Sequence, residues 1–188
     1  VVSLAVSLAV QSVLSNIAGG LVILVTKPFQ LGDLVETADG LGTVKEISLT
    51  FTKLETPDGL WLMTPNSVLS SGKITNYTAL GRRRAEIRVG ASYDAAVSDV
   101  RAACLDAAAR VPGVLPDPAP IVYVDSYGES SISYIVRVWC RSEDYTDVYY
   151  GLTEGLKAAF DEHGVEMPYN HLNIHILDQT EQKEKQTV

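Results

Sequence analysis

The chain has 188 residues, 46% of them hydrophobic, with 15 basic and 23 acidic side chains and a formal net charge of -8. That length suits one large domain, or two small ones with an appendage. An acidic chain lacks the clustered Lys and Arg that release counterions from phosphate backbones, which argues against a nucleic-acid partner.

The apolar content is concentrated at the start. Val1–Val25 carries no charge, and the first charged residue is Lys27. A helix of about 20 residues crosses a bilayer core, so this stretch is long enough. It is rich in small residues: Ser3, Ala5, Ser7, Ala9, Ser12, Ser15, Ala18, Gly19 and Gly20, with Gln11 and Asn16 among them. Small residues let helices approach closely, and polar groups in such a segment face other helices or a water-filled cavity. A packed or pore-lining helix, a single-pass anchor and a buried core helix all fit these residues. A signal peptide does not, because no basic stretch precedes the apolar run. The chain does not begin with Met, so sequence upstream of Val1 is expected.

From Lys27 to about Tyr77 the pattern changes to short β-rich runs. Leu34–Thr37, Thr43–Phe51, Lys53–Thr56 and Leu60–Thr64 are separated by turn signals at Gly32-Asp33, Asp39-Gly40 and Pro57-Asp58-Gly59. The last of these joins two runs as a hairpin. About five short strands in some 50 residues predict a compact barrel.

The third zone alternates strands and helices. Ala85, Ile87, Val89 and Ala91 read as a half-buried strand. Asp94 is the expected N-cap of a helix carrying Val97, Val100, Cys104, Ala107 and Val111, stopped by Pro112-Gly113. Strands follow at Ile121–Val124 and Ser130–Cys140, the latter with Ile132, Tyr134, Val136 and Val138 on one face and Gly128 at the turn between. A second helix over about Thr146–His163 presents Val148, Leu152, Leu156 and Phe160, with Gly164 as its stop. Asn170–Leu177 alternates as a last strand. The order β-α-β-β-α-β is the split βαβ, ferredoxin-like arrangement.

Catalytic constellations are missing. No Gly-x-Ser-x-Gly, P-loop or Gly-x-Gly-x-x-Gly occurs. His171 and His175 are four apart on an expected strand, which separates the rings by about 13 Å, too far for one ion. Arg82-Arg83-Arg84 reads as a linker that is solvated or paired with acidic neighbours. Cys104 and Cys140 lie in apolar-periodic segments and read as buried, reduced thiols. No catalytic residue, metal or cofactor is expected.

Several motifs, in order, carry a resemblance. They are Leu4-Ala5-Val6-Ser7-Leu8-Ala9-Val10-Gln11, Leu14-Ser15-Asn16-Ile17-Ala18-Gly19-Gly20, Pro28-Phe29-Gln30-Leu31-Gly32-Asp33 and Gly42-Thr43-Val44. Thr64-Pro65-Asn66-Ser67-Val68-Leu69, Ile74-Thr75-Asn76-Tyr77, Val89-Gly90-Ala91-Ser92-Tyr93-Asp94 and Val136-Arg137-Val138-Trp139 follow. Together they resemble the MscS family of small-conductance mechanosensitive channels over nearly the whole chain to about Leu177.

The resemblance implies a membrane protein of the α+β class. Its parts would be a pore-lining transmembrane helix (1–27), a small Sm-like β-barrel domain (28–79), and a cytoplasmic ferredoxin-like α/β-domain (80–177) ending in an inter-subunit barrel strand. A polar tail (178–188) completes it. It implies a homo-oligomer, a heptamer in the family, in the bacterial inner membrane, with upstream transmembrane helices, lipids and permeating ions or small solutes as partners. Leu4 and Leu8 match the hydrophobic gate. Ala5, Ser7 and Ala9 match the small packing residues, and Asn16 and Gly20 match the bend. The family usually has glycine where Ser7 and Ser12 stand, so packing and kinking near Ser12 depart from its pattern. A membrane-tethered or soluble interaction module is the competing reading.

Overall fold

A computed structural model describes the backbone of residues 2–174 and the side chains of residues 10–174. The elements in chain order are α1 (Val2–Thr26), β1 (Leu34–Thr37), β2 (Gly40–Ile47), β3 (Phe51–Glu55), β4 (Trp61–Pro65), α2 (Asn66–Ser71) and β5 (Thr75–Asn76). They continue with β6 (Arg82–Ala91), α3 (Val97–Arg110), β7 (Ile121–Tyr127), β8 (Ile132–Arg141) and α4 (Tyr145–Glu162). The chain divides into two compact units, Val1–Ala85 with Trp139–Asp147, and Glu86–Val138 with Val148–Val188.

The first unit holds α1 and a five-stranded sheet in the order β4-β3-β2-β1-β5. All of its pairings are antiparallel, as short tight turns require. The expected hairpin is present: Glu55 pairs with Trp61, and Gly59 at the turn takes a φ of 78° that only glycine adopts without strain. The expected single run Thr43–Phe51 is instead two strands. A bulge between Val44 and Glu46 twists β2, and the Ser48 N–H donates to Phe51 O across a turn at 2.8 Å. The core consists of Ile23, Phe29, Val35, Val44, Leu54 and Leu69, with Ile47, Leu62 and Ile74 packed against it. Ile23 belongs to α1, so the last turns of that helix are part of the sheet's hydrophobic core.

The second unit contains α3, β7 and most of β6, β8 and α4, whose Arg82–Ala85, Trp139–Arg141 and Tyr145–Asp147 ends belong to the first. The three-stranded sheet runs β6-β8-β7, so β8 lies between the two strands that α3 connects, the split βαβ pattern. Central position explains β8's burial: Ile132, Tyr134, Val136, Val138 and Cys140 are all buried on one face. α4 buries its expected stripe of Val148, Leu152, Leu156 and Phe160, whereas α3 buries Val100, Cys104 and Ala107 of its expected five, with Val97 39% exposed and Val111 half-buried at the C-cap. Arg110 pairs with Asp106 and, at 2.7 Å, with Glu162, joining the helices' C-terminal ends. Gly164 stops α4 with φ 67°.

Some expectations need correction. α3 begins after Ala96, not Asp94, and Asp94 lies in the preceding loop with its N–H bonded to Ser92 Oγ at 3.3 Å. Arg82-Arg83-Arg84 is no linker, because β6 begins at Arg82. Over Asn170–Ile174 the expected strand is not formed. Alternation alone does not make a strand, which needs a partner backbone. His175, Ile176 and Leu177 lie outside the described residues. Cys104 and Cys140 are free and buried, and burial pushes the Cys104 thiol up to about 12.

Candidate functional site

α1 is one uninterrupted helix through Ser12, Asn16 and Gly20, about 37 Å long at 1.5 Å per residue. Leu4, Ala5, Ser7, Leu8 and Ala9 lie on it, and their side chains fall outside the described ones. Leu4 and Leu8 are one turn apart on the backbone, so they share a helix face. Among the described residues, no helix is long and apolar enough to cross a membrane.

Beyond residue 10, α1 is exposed on most sides. Leu14 is 59% and Val25 72% exposed, and Ser12 faces out as well. Burial is confined to a stripe: Gly19, Gly20 and Ile23 are buried, and Asn16 is half-buried. These positions are three and four residues apart, so they form one face. That face rests on α2 and on the loop between β2 and β3.

The contact is too close for any side chain larger than hydrogen. A Cβ at Gly19 would lie 2.6 Å from Asn66 O, and one at Gly20 would lie 2.5 Å from Leu49 O. Both obstacles are backbone carbonyls, which cannot swing away. Glycine is required here by approach distance, not by its dihedral freedom.

Hydrogen bonds complete the seam. The Ser67 N–H donates to Asn16 Oδ1 at 3.1 Å. Ser67 is in the first turn of α2, where backbone N–H groups have no helical acceptor. Pro65 stands at the N-cap and provides no side-chain bond. α2 is therefore capped from α1, by a residue 51 positions earlier in the chain.

Asn66 anchors the other side. It is wholly buried. Its Oδ1 accepts from Thr52 Oγ1 at 2.8 Å, its Nδ2 donates to Ser48 O at 2.8 Å, and its N–H donates to Thr50 O at 3.1 Å. One residue thus ties α2, β3 and the 48–50 loop into the surface on which the two glycines press.

The exit of α1 is also held. Lys27 ends the helix with φ 47°, an uncommon conformation for a non-glycine residue. Asp33 then accepts from Gln30 N–H and Asn76 Nδ2 through one oxygen, both at 2.8 Å, and from Thr78 Oγ1 through the other at 2.8 Å. Burial acts to raise the Asp33 pKa, but the bonds from Asn76, Gln30 and Thr78 outweigh it and hold the carboxyl below its ordinary value. The Pro28–Asp33 and Ile74–Tyr77 motifs are the two halves of this clamp.

Among the described residues, no group of His, Cys, Asp and Glu could hold a metal. The chemistry on offer is mechanical: a helix fastened to a rigid β-domain through one small-residue stripe.

Comparison with known proteins identifies the setting. Residues 12–79 match the family model for the mechanosensitive ion channel beta-domain, and residues 85–167 match that for the mechanosensitive ion channel MscS, C-terminal. The small-conductance mechanosensitive channel of Helicobacter pylori (strain UM084) is 30% identical over 97% of this chain and 67% of its own length. The chain belongs to the MscS family. Another MscS-family relative, the small-conductance mechanosensitive channel of Edwardsiella ictaluri (strain 93-146), is 33% identical over 92% of this chain and 60% of its own. The chain thus spans about 60% of the length of the first curated relatives it matches. The crystal structure of Helicobacter pylori MscS in a closed state has a TM-score of 0.87 at 30% identity, covering 95% of this chain and 71% of that one. Likeness to Arabidopsis thaliana MSL1, with a TM-score of 0.73 at 20% identity over 89% and 63%, shows the MscS fold alone. MscS is a family of channels, not of enzymes. Its β-domain match starts at residue 12, inside α1, which agrees with Ile23 sitting in the sheet's core.

Of the residues singled out in the sequence, Asn16 and Gly20 meet at the seam, whereas Ser12 stays exposed on α1. Gly19, Asn66 and Ser67 complete the seam and were not read as site residues. The available signals were Gly19 among the small residues of the apolar run and Asn66, a polar residue placed directly after a β-rich run.

Proposed function

We propose that this chain is the pore and cytoplasmic portion of a tension-gated channel that releases ions and small solutes during hypoosmotic shock. In this reading α1 lines the pore of a homo-oligomer, a heptamer as in the resemblance, in the bacterial inner membrane, with upstream helices contacting lipid. Leu4 and Leu8 repeat by symmetry as two apolar rings about 6 Å apart along the axis. Water leaves a narrow apolar constriction, and ions do not cross without it. Ala5, Ser7 and Ala9 let neighbouring helices slide as the rings widen, and α1 bends near Asn16 and Gly20 in one of the two states. Stretched membrane favours whichever state occupies more area, and that difference does the work.

The observation that carries the reading is the seam. Among the described side chains the buried stripe of α1 runs from Asn16 to Ile23; in this reading that C-terminal half stays fastened to the β-domain while the N-terminal half tilts. A helix with one fastened end is what a gate needs. Patch recording of the full-length protein under suction tests it. Leu8→Ser wets a ring and lowers the opening tension. An unaltered tension dependence rejects Leu8 as gate, and a monomer in detergent rejects the pore.

A further inference from the structure

Gating makes no use of Arg82-Arg83-Arg84. The middle arginine is the unusual one. Its guanidinium carbon lies 3.5 Å from the centre of the Tyr145 ring and 4.6 Å from that of Tyr77. Two rings within cation–π distance hold the guanidinium in place. Neither ring cancels its charge.

Arg83 lines an open cleft of about 570 Å³ in the first unit, with Arg141, Ser142, Thr78, Thr146 and one carboxylate, Glu143. The cleft is built, not incidental. The Ser142 N–H donates to Gly81 O at 3.1 Å and Ser142 Oγ donates to Tyr77 O at 3.2 Å. Thr78 is held by Asp33. Arg141, the second cation, is committed only weakly. Its Nη1 is 3.4 Å from Glu143 Oε1, and the two side chains are 68% and 73% exposed. Thr146 belongs to the first turn of α4, whose backbone N–H groups have no helical acceptor.

Two guanidinium groups lining one cleft suit a multiply charged oxyanion with several acceptor oxygens. The Ser142 and Thr78 hydroxyls, which donate to Tyr77 O and to Asp33, hold the wall in shape and offer the anion no proton. A singly charged carboxylate would leave one arginine unmatched. We propose that this cleft binds a phosphate group, either free inorganic phosphate or the monoester of a small solute. A bound phosphate draws Arg141 from Glu143 and joins the β6 entrance to the 141–146 segment, stiffening the first unit. This inference does not rest on the gating proposal.

Equilibrium dialysis of the whole protein in detergent, near 0.15 M salt, tests it against labelled inorganic phosphate and, separately, against a nucleoside monophosphate. Saturable binding is expected. Tighter binding of the monophosphate identifies a monoester, and equal or preferential binding of inorganic phosphate identifies the free ion. Arg83→Gln weakens binding by about tenfold or more. Because Arg83 is packed between rings, the exposed pair supplies the decisive variants: Arg141→Gln weakens binding about tenfold, while Glu143→Gln, which frees Arg141, tightens it severalfold. The proposal is overturned if neither probe saturates below about 10 mM, or if Arg141→Gln and Glu143→Gln both bind as the parent does.

Discussion

Asn16 completes a helix that it does not belong to: its side-chain oxygen takes the otherwise unpaired Ser67 N–H at the start of α2, 3.1 Å away. The position of α1 and the integrity of α2 are therefore linked. Asn16→Ala should cost about 1 kcal/mol, the usual loss for an N-cap. Thermal unfolding of the protein in detergent would register it. In patches, the same variant should change the tension or the lifetime of the open state, since α1 moves against a looser support. An unchanged melting point and unchanged gating would show that the bond carries nothing.

Glycine-to-alanine changes should have opposite signs in α1 and α4. Gly20→Ala meets Leu49 O at 2.5 Å, so the backbone must shift, at a cost of roughly 1–3 kcal/mol despite alanine's better helix propensity. Gly155→Ala in α4 meets only Val111 Cγ2 at 3.8 Å, ordinary contact. There alanine should add up to about 1 kcal/mol. Melting temperatures of the two variants, side by side, separate approach distance from propensity.

Asn66 is wholly buried with three of its polar groups bonded. Asn66→Leu leaves the Thr52 hydroxyl and the Ser48 carbonyl without that partner. The expected loss is about 2–4 kcal/mol, larger than for Asn16→Ala because two buried groups are stranded. A loss under about 1 kcal/mol in denaturant unfolding would contradict the buried network.

The Asp33 clamp predicts acid sensitivity. Its pKa is lowered on folding, from an ordinary 3.8. The unfolded chain then binds the proton more readily, so the contribution to stability is full above that value and is lost as pH falls below it through the folded pKa. Asp33→Asn removes this dependence. Unfolding midpoints across the acidic range should fall more steeply for the parent than for the variant.

Cys104 should be inert. With its thiol pushed up to about 12 by burial, almost no thiolate exists near neutral pH. A maleimide should label it only when denaturant is present. Rapid labelling of the folded protein would mean that α3 opens.

Periodicity revealed what depends on periodicity. The β8 face of Ile132, Tyr134, Val136 and Val138, the α4 stripe from Val148 to Phe160 and the Gly164 stop are where spacing places them. α2 was hidden because six residues are too few for a repeat and its first residue is a buried asparagine, a type ordinarily exposed. The α3 start was misplaced because Asp94, with the better capping chemistry, loses to Ala96, which has none. Asn16 and Gly20 stood out as a polar and a small residue in the apolar run, and only their place at the bend came from the resemblance. Their partners, Ser67 and Leu49, are distant in sequence, and no local pattern announces them. Arg82–Arg84 is solvated at its two outer arginines, as a charge run reads, but it opens a strand, and the aromatic partners of Arg82 and Arg83, Trp139, Tyr77 and Tyr145, arrive from elsewhere in the chain.

The chain's two units are interleaved, not consecutive, since Trp139–Asp147 returns to the unit begun by the N-terminal residues before the second unit resumes at Val148. A ribosome therefore releases the β-domain long before its last pieces exist. Trp139, which stacks on Arg82 at 5.2 Å, and Ser142, which bonds back to Tyr77, emerge only after most of the inserted unit has been made. Cutting the gene at Ala85 would yield an unfinished β-domain with its arginines stripped of rings. A shortened version meant to fold by itself would have to bridge the insertion and keep residues 139–147.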